Sequence, residues 1–575
     1  MCSNNRHILF VWWFVFAACG LWITGGCRSP ENYKAEADEE VYNIIDGKWQ
    51  DGFGEKVNYK ISDSPPSPED IQIPNSDGIT GTLSLAYAVA IATANNRDYQ
   101  AQKESLYTGA LGLTSERHKY ALQWFGTIDG EYTRDVDQEG NVYEDVSVGT
   151  GGGREGEIGA GVSKSHLLAG GIQISTSLAI NWLRYLTGDP RTSLGSVLSS
   201  SLTVPLLGRG GGKVAWENLT QAERSVLYQI RSFNRYRKSF VVGVVDAYYS
   251  VLQQRETVIN AQNNYARKVD SRERLEMEAE TGRKAQFDVD EARQSELSAR
   301  DSYVGAQRSY ERALDNFKVA QLSFPTDTNI VLDPNELLAL KEIGIAPPDY
   351  TLNLAIETAL VYRLDLANTA DRIDDQLRNV ALAAEGLGPQ LNLSGRTNVE
   401  SRGKTDFSQL QFHEGTYSTG FDADLPFDRL NERNSYRSAL INLTQQQRQY
   451  DNERDRIELN VSNSYRQLLE TAERHSIQEM SLELAERRVQ SNELLLDAGR
   501  GTVRVLLDSQ DSLRDAQNAV TSALIAHTIA KLNFYKDIGV LQVKPDGMWE
   551  QKEWEITKTN TSELIQKANS IQQDL

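Results

Sequence analysis

Glu280-Thr281-Gly282-Arg283 and Ala498-Gly499-Arg500-Gly501 each place glycine among charged residues, midway along a stretch that contains no proline. The first stretch runs from 206 to 324 and the second from 427 to 544, although fourteen prolines are spread over the rest of the chain. Proline removes a helix hydrogen bond and clashes with the preceding turn, so its absence permits very long helices. Glycine takes the left-handed or open backbone that lets a helix end and the chain reverse. Each stretch therefore reads as a long helical hairpin.

The two hairpins are copies of one another. At a fixed offset of 217, Val244 meets Val461, Tyr248 meets Tyr465, Leu252 meets Leu469, Gly282 meets Gly499, Arg283 meets Arg500, and Phe317 meets Phe534. A duplication of this length limits the possible folds. The arm from Lys213 to about Thr281 would reach roughly 100 Å at about 1.5 Å per residue, and it needs a partner along its whole length. Ala299, Ala306 and Ala313 recur every seven residues on the second arm, with Ala516, Ala523 and Ala530 as their register mates. Small residues on a heptad stripe let helices approach closely, as in coiled coils.

The N-terminus sets the compartment. One Arg precedes the apolar run Ile8 to Ala18, and Thr24-Gly25-Gly26 precedes Cys27. This is the order of a secretory signal, and the run is too short to span a bilayer as a helix. A cysteine directly after the small residues is similar to a bacterial lipoprotein signal, in which it becomes the lipidated first residue. Cys27 is the preferred site because a polar, proline-bearing segment follows it; Cys19, after Phe16-Ala17-Ala18, is a rival. All three cysteines lie at or before position 27, so no internal disulfide is expected in the mature body. Starting at Cys27 removes only Arg6 among charged residues and moves the formal charge from −20 to −21, which argues against a nucleic-acid partner.

Before each hairpin the periodicity changes to two. Ile172, Ile174, Thr176, Leu178, Ile180 and Trp182 alternate with Gln173, Ser175, Ser177, Ala179 and Asn181, the length and pattern of a strand with one face toward lipid. Residues 124 to 133 alternate in the same way, and 158–162, 198–204, 391–399 and 417–425 are shorter candidates. Six strands at most are expected. A closed membrane barrel needs about eight, so several protomers must share one.

In this order of elements the chain resembles the outer-membrane efflux protein family, the TolC-like exit ducts, over roughly residues 80 to 540. Leu83 to Val89 and Tyr350 to Ile356 open the two halves alike, at an offset of 267 that pairs Leu85 with Leu352, Ala88 with Ala355 and Asp98 with Asp365. The later offset of 217 leaves fifty extra residues in the strand region of the first half. Leu202 to Leu207 and Leu425 to Leu430 are similar to the family's strand-to-helix junctions, and Gly282 to Arg293 and Gly499 to Gln510 to its periplasmic tips. The resemblance implies a mainly α fold with a membrane β-barrel, an internally duplicated unit of helix, two strands and long helical hairpin. Three protomers would share one twelve-stranded barrel and one α-helical tunnel. It divides the chain into a signal peptide (1–26), an N-terminal linker (27–80), a first repeat (81–325), an inter-repeat linker (326–349), a second repeat (350–540) and a polar tail (541–575). An extra hairpin turning at Leu167-Leu168-Ala169-Gly170 leaves the strand count open.

The resemblance also implies partners and a gate. Tips at Gly282, Arg283, Asp288 and Glu291, and at Gly499 and Arg500, would dock a periplasmic adaptor, and through it an inner-membrane pump or ABC transporter. Family constrictions carry aspartates six and nine residues after the second turn glycine; here those positions are Val505 and Asp508, so only one acidic ring is expected. Like charges brought together in a narrow bore bind cations. No catalytic constellation, metal site or cofactor is expected beyond a covalent lipid on Cys27. The six histidines are dispersed, and Gly208-Arg209-Gly210-Gly211-Gly212-Lys213 lacks both the first glycine and the Ser or Thr of a phosphate loop. The reading is an exit duct of a tripartite efflux or type I secretion system, and the alternative a structural envelope lipoprotein without channel activity.

Overall fold

A computed structural model describes residues 29–50, 53, 56, 58–61, 82–127, 129–136, 142–149, 160–167, 171–185, 192–207, 212–345, 350–401, 408–425, 427–543 and 549–551. Cys19, Cys27, the segment 208–211 and the turn 168–170 lie outside them. The chain forms two compact units. One comprises Met1–Trp49, Leu106–Leu227 and Asp375–Ile441; the other comprises Gln50–Ser105, Tyr228–Asp374 and Asn442–Leu575.

The duplication is reproduced element by element. Helices α2 (Leu85–Asn95) and α7 (Leu352–Tyr362) both have 11 residues, and α3 (Arg97–Tyr120) and α8 (Leu364–Glu385) follow after a one-residue break. The long hairpins are α4 (Gly212–Glu280) with α5 (Gln286–Asn316), and α9 (Leu430–Asp497) with α10 (Val503–Asp537). A π-turn, Phe317–Gln321, continues α5. The two breaks are held differently. The Asn96 carboxamide oxygen accepts the N–H groups of Asp98 and Tyr99, capping α3, while its nitrogen donates to the carbonyls of Ala320 and Gln321. At the matching place Arg363 instead donates to both oxygens of Asp365, at 3.1 and 2.7 Å.

Register mates fill one core in the second unit: Val244 and Val461 are both fully buried, as are Phe317 and Phe534 to within 2%. The Tyr248 hydroxyl, buried among them, donates to the Leu83 carbonyl at 2.8 Å. Nearby, Lys103 is 5% exposed, its ammonium 5.2 Å from the Tyr99 ring. Tyr99 in turn packs against Phe233, Tyr236 and Phe240. Burial lowers the Lys103 pKa to about 8.

The segments outside the repeats carry structure of their own. Helix α1 (Pro30–Lys48) starts with proline at its first turn and buries Val41, Ile44 and Ile45, one helical face. It is tied down by the Tyr107 hydroxyl, which donates to Asp38 at 2.6 Å. Between the repeats, β8 (Val331–Leu332) pairs in parallel with β1 (Thr82–Leu83), and α6 (Asn335–Ile343) follows. Past the second repeat, β11 (Leu541–Val543) pairs with β12 (Trp549–Gln551).

The first unit holds a sheet of eight strands: β2 (Gln123–Thr127), β3 (Asp129–Val136), β4 (Val142–Gly149), β5 (Ala160–Leu167), β6 (Gln173–Tyr185), β7 (Thr192–Leu207), β9 (Gln390–Glu400) and β10 (Thr416–Asp424). This corrects the expectation of six at most. The expected strand over 124–133 is divided, since β2 pairs with β5 whereas β3 pairs with β4. Strand β4 was not expected at all: Glu144 interrupts the series Val142, Val146 and Val148, and cross-strand pairing supplies what the local pattern lacks. The extra hairpin is present as antiparallel β5 and β6.

Candidate functional site

Two surfaces carry the functional argument, one in each unit. In the sheet, register puts Ile174 opposite Leu202 and Leu178 opposite Leu198; Leu198 then faces Val399, Val204 faces Leu393, and Leu393 faces Phe421. Directly paired residues share a face, so these side chains form one apolar surface across four strands. Much of it is open: Leu178 is 40% exposed, Tyr417 59% and Phe421 70%. An exposed apolar face of this extent is costly in water and favourable in lipid.

The opposite face is polar. Ser175, Ser201, Arg396 and Ser418 make one row across the strands, and Ser177, Ser199, Asn398 and Thr416 make the next. The Ser175 and Ser201 hydroxyls are 2.7 Å apart, and the Ser199 hydroxyl donates to Asn398 at 2.9 Å. A sheet with lipid-compatible and water-compatible faces is the wall a transmembrane conduit requires. Among the described residues no helix is long and apolar enough to cross a membrane.

The second surface is the pair of hairpin turns. Gly282 and Gly499 have φ of +75° and +70°. The N–H groups of Arg283 and Arg500 donate back to the carbonyls of Glu278 and Leu495, both at 2.8 Å, while Gly282 and Gly499 donate to Ala279 and Leu496. Both turns are therefore the same left-handed helix stop, repeated at the 217-residue offset. Only the second has a side-chain cap, the Thr502 hydroxyl accepting from the Val505 N–H. Gly501 is also specific to it, because a Cβ there would meet Leu496 N at 2.9 Å.

A small core joins the four arms at this end: Leu275, Val289, Ala292, Leu496, Val503, Leu506 and Leu507. Gly282, Arg283, Gly499, Arg500, Val505 and Asp508 are exposed, and Asp288 and Glu291 are half-buried. Register aligns Asp288 with Val505 and Glu291 with Asp508, so the second hairpin has exchanged one carboxylate for an apolar group.

Sequence reasoning missed the polar seam between α4 and α10. The Lys268 ammonium donates to the Leu507 carbonyl at 2.5 Å and to Asp511 at 3.1 Å, and the other Asp511 oxygen accepts from Asn264 at 3.0 Å. Gln510 donates to Ser271 at 3.2 Å and Asn260 to Asn518 at 2.9 Å. Burial lowers the Lys268 pKa, against the attraction of Asp511. The available signal was a lysine on a helix face otherwise expected to be apolar. Arg274 also pairs with Asp497, and Arg272 with Glu296.

Residues 170–320 and 355–540 match the outer membrane efflux protein family, more than half of the chain, and the chain belongs to that family. Its members are channel proteins of the outer membrane and not enzymes. No match was found among curated protein sequences. Among solved structures, the outer-membrane channel OprN shares 15% identity, with 84% of this chain and 99% of that one covered and a TM-score of 0.55. The CmeC outer membrane channel of Campylobacter jejuni shares 13%, covering 89% and 98%, with a TM-score of 0.56. The open-state MtrE outer membrane channel of Neisseria gonorrhoeae shares 15%, covering 83% and 97%, with a TM-score of 0.55. At such identities the likeness is one of fold.

Proposed function

We propose that this chain is the outer-membrane exit duct of a tripartite efflux or type I secretion system, passively conducting solutes from the periplasm to the exterior. The observation that carries this reading is the two-faced sheet, with Leu178, Leu202, Tyr417 and Phe421 exposed on one side and rows of serine on the other. Copies of the chain, three in the assembly we favour, close their sheets into one barrel and their helical hairpins into one tunnel. A lipid on Cys27 holds the mature N-terminus at the outer membrane, and the tips at Gly282-Arg283 and Gly499-Arg500 dock a periplasmic adaptor that brings an inner-membrane pump or ABC transporter.

Reconstitution of the purified full-length protein into planar bilayers tests the duct. Discrete conductance steps are expected. A protein that inserts, stays folded and never conducts overturns the reading in favour of a structural envelope lipoprotein.

A further inference from the structure

The eight strands occupy only six columns. On β6, Val148 of β4 stands opposite Trp182 and Ala160 of β5 opposite Ile180, two positions apart. On the other flank Gly149 stands opposite Asp129 and Gly161 opposite Thr127, again two positions apart. Strands β4 and β5 therefore lie end to end as one column, and β2 and β3 as its neighbour. The order across the sheet is then β10, β9, β7, β6, β4 with β5, and β3 with β2, every contact antiparallel. Four columns come from the first half of the chain and two from the second. The fifty extra residues of the first half are accounted for by the two additional columns.

Among the described residues both margins of this sheet are unpaired: β10 bonds only to β9, and the β2 and β3 column only to β5 and β4. In hydrocarbon an unpaired backbone group has no water to bond to, and open edges are not tolerated. Six columns closing on themselves would make a barrel smaller than the smallest known, about eight strands. A column count that is even also makes the two margins run in opposite directions, so β10 of one copy meets the β2 and β3 column of the next as an antiparallel pair. All residues of β10 except Gly420 are exposed in the single chain.

We propose that each copy contributes six strands to the shared barrel, its β10 edge pairing with the 123–136 edge of a neighbouring copy. This rests on the duct reading above, and with three copies the barrel has eighteen strands instead of the twelve the family resemblance implies. Since barrel diameter grows roughly linearly with strand number, the bore is about one and a half times as wide.

Cryo-electron microscopy of the full-length protein in lipid nanodiscs counts copies and strands together. Six strands per copy is the expected result; four per copy, with β4, β5 and β6 outside the wall, overturns the proposal. Six per copy in an assembly other than a trimer keeps it and rejects the trimer alone. Disulfide trapping gives an independent answer, because the mature chain has no cysteine beyond position 27. Ser418→Cys combined in turn with Glu131→Cys, Thr133→Cys and Asp135→Cys, all on the polar face by register, should give reductant-sensitive oligomers for at least one pair. Ser175→Cys with Ser201→Cys, whose hydroxyls are 2.7 Å apart within one chain, reports correct folding. If that control pair closes and none of the Ser418 pairs does, the edge pairing is wrong.

Discussion

Lys268 and Asp511 face each other across two hairpins at 3.1 Å, the lysine side chain fully buried and the aspartate 40% exposed. The burden of desolvation falls on one partner. Asp511→Ala should therefore be the more damaging change, leaving a buried ammonium with only the Leu507 carbonyl, at a cost of about 3 kcal/mol. Lys268→Met fills the same volume and leaves an aspartate that water can reach, for about 1 kcal/mol. Hydrogen exchange of the 264–275 amides in the assembled protein measures the ranking, and the reverse order would show that the pair is held by the carboxylate's environment.

Lys103 offers a pH test. Its pKa is about 8 in the fold against 10.5 unperturbed, so between those values the unfolded chain binds more protons and stability rises with pH. Across the full window the gain is about 3 kcal/mol. Lys103→Met should abolish that rise and stabilise the protein at neutral pH by about 2 kcal/mol, the lost contact with the Tyr99 ring offsetting part. Thermal melts at pH 7 and pH 10 on both proteins are sufficient. Parallel pH dependence in wild type and variant counts against the assignment.

At the tip, Asp508→Asn should weaken cation selectivity in bilayer recordings. Val505→Asp adds the carboxylate that Asp288 supplies in the other hairpin, and should strengthen divalent block, since each copy would then present two carboxylates at the constriction instead of one. If neither substitution alters selectivity or block, the constriction lies elsewhere and Asp508 is a solvated charge.

The two glycines of the second turn should behave differently. Gly499 has a left-handed φ but open space around its missing Cβ, so Gly499→Asn should cost less than about 1 kcal/mol. Gly501→Ala drives a methyl into the Leu495 and Leu496 backbone and should raise exchange of the 494–506 amides severalfold. Comparable protection in both variants would mean the turn simply shifts.

Mass spectrometry of the mature N-terminal peptide is expected to find Cys27 carrying lipid. An unmodified Cys27, or a chain that starts at Cys19, would remove the anchor from the proposal.

The helical half of the fold was legible because its signals are local. Proline spacing and the turn glycines Gly282 and Gly499 are properties of neighbouring residues, and the offset of 217 is read by laying the chain on itself without any knowledge of contacts; the helices end at Glu280 and Asp497, 217 apart. Strand β6 was legible for the same reason, through strict alternation from Ile172. What was not legible depends on partners distant in sequence. Strand β4 exists because β3 and β6 flank it, and Lys268 is tolerable only because Asp511, 243 residues away, folds against it. The helix at Pro30–Lys48 gives little signal in the sequence because its three buried residues are confined to 41–45, and the turns before them are mostly charged and polar.

The end-to-end arrangement of β4 and β5 leaves a practical opening. Pairing on both flanks resumes at Ala160 as though it followed Gly149, so the sheet itself places no demand on the length of chain between them. A fluorogen-binding peptide, epitope or protease site spliced between these two residues would be carried by a wall that is already complete without it, and the cost of lengthening a connection grows only slowly with its size. Labelling or tethering this protein without touching either the tips or the edges is therefore best attempted at that junction.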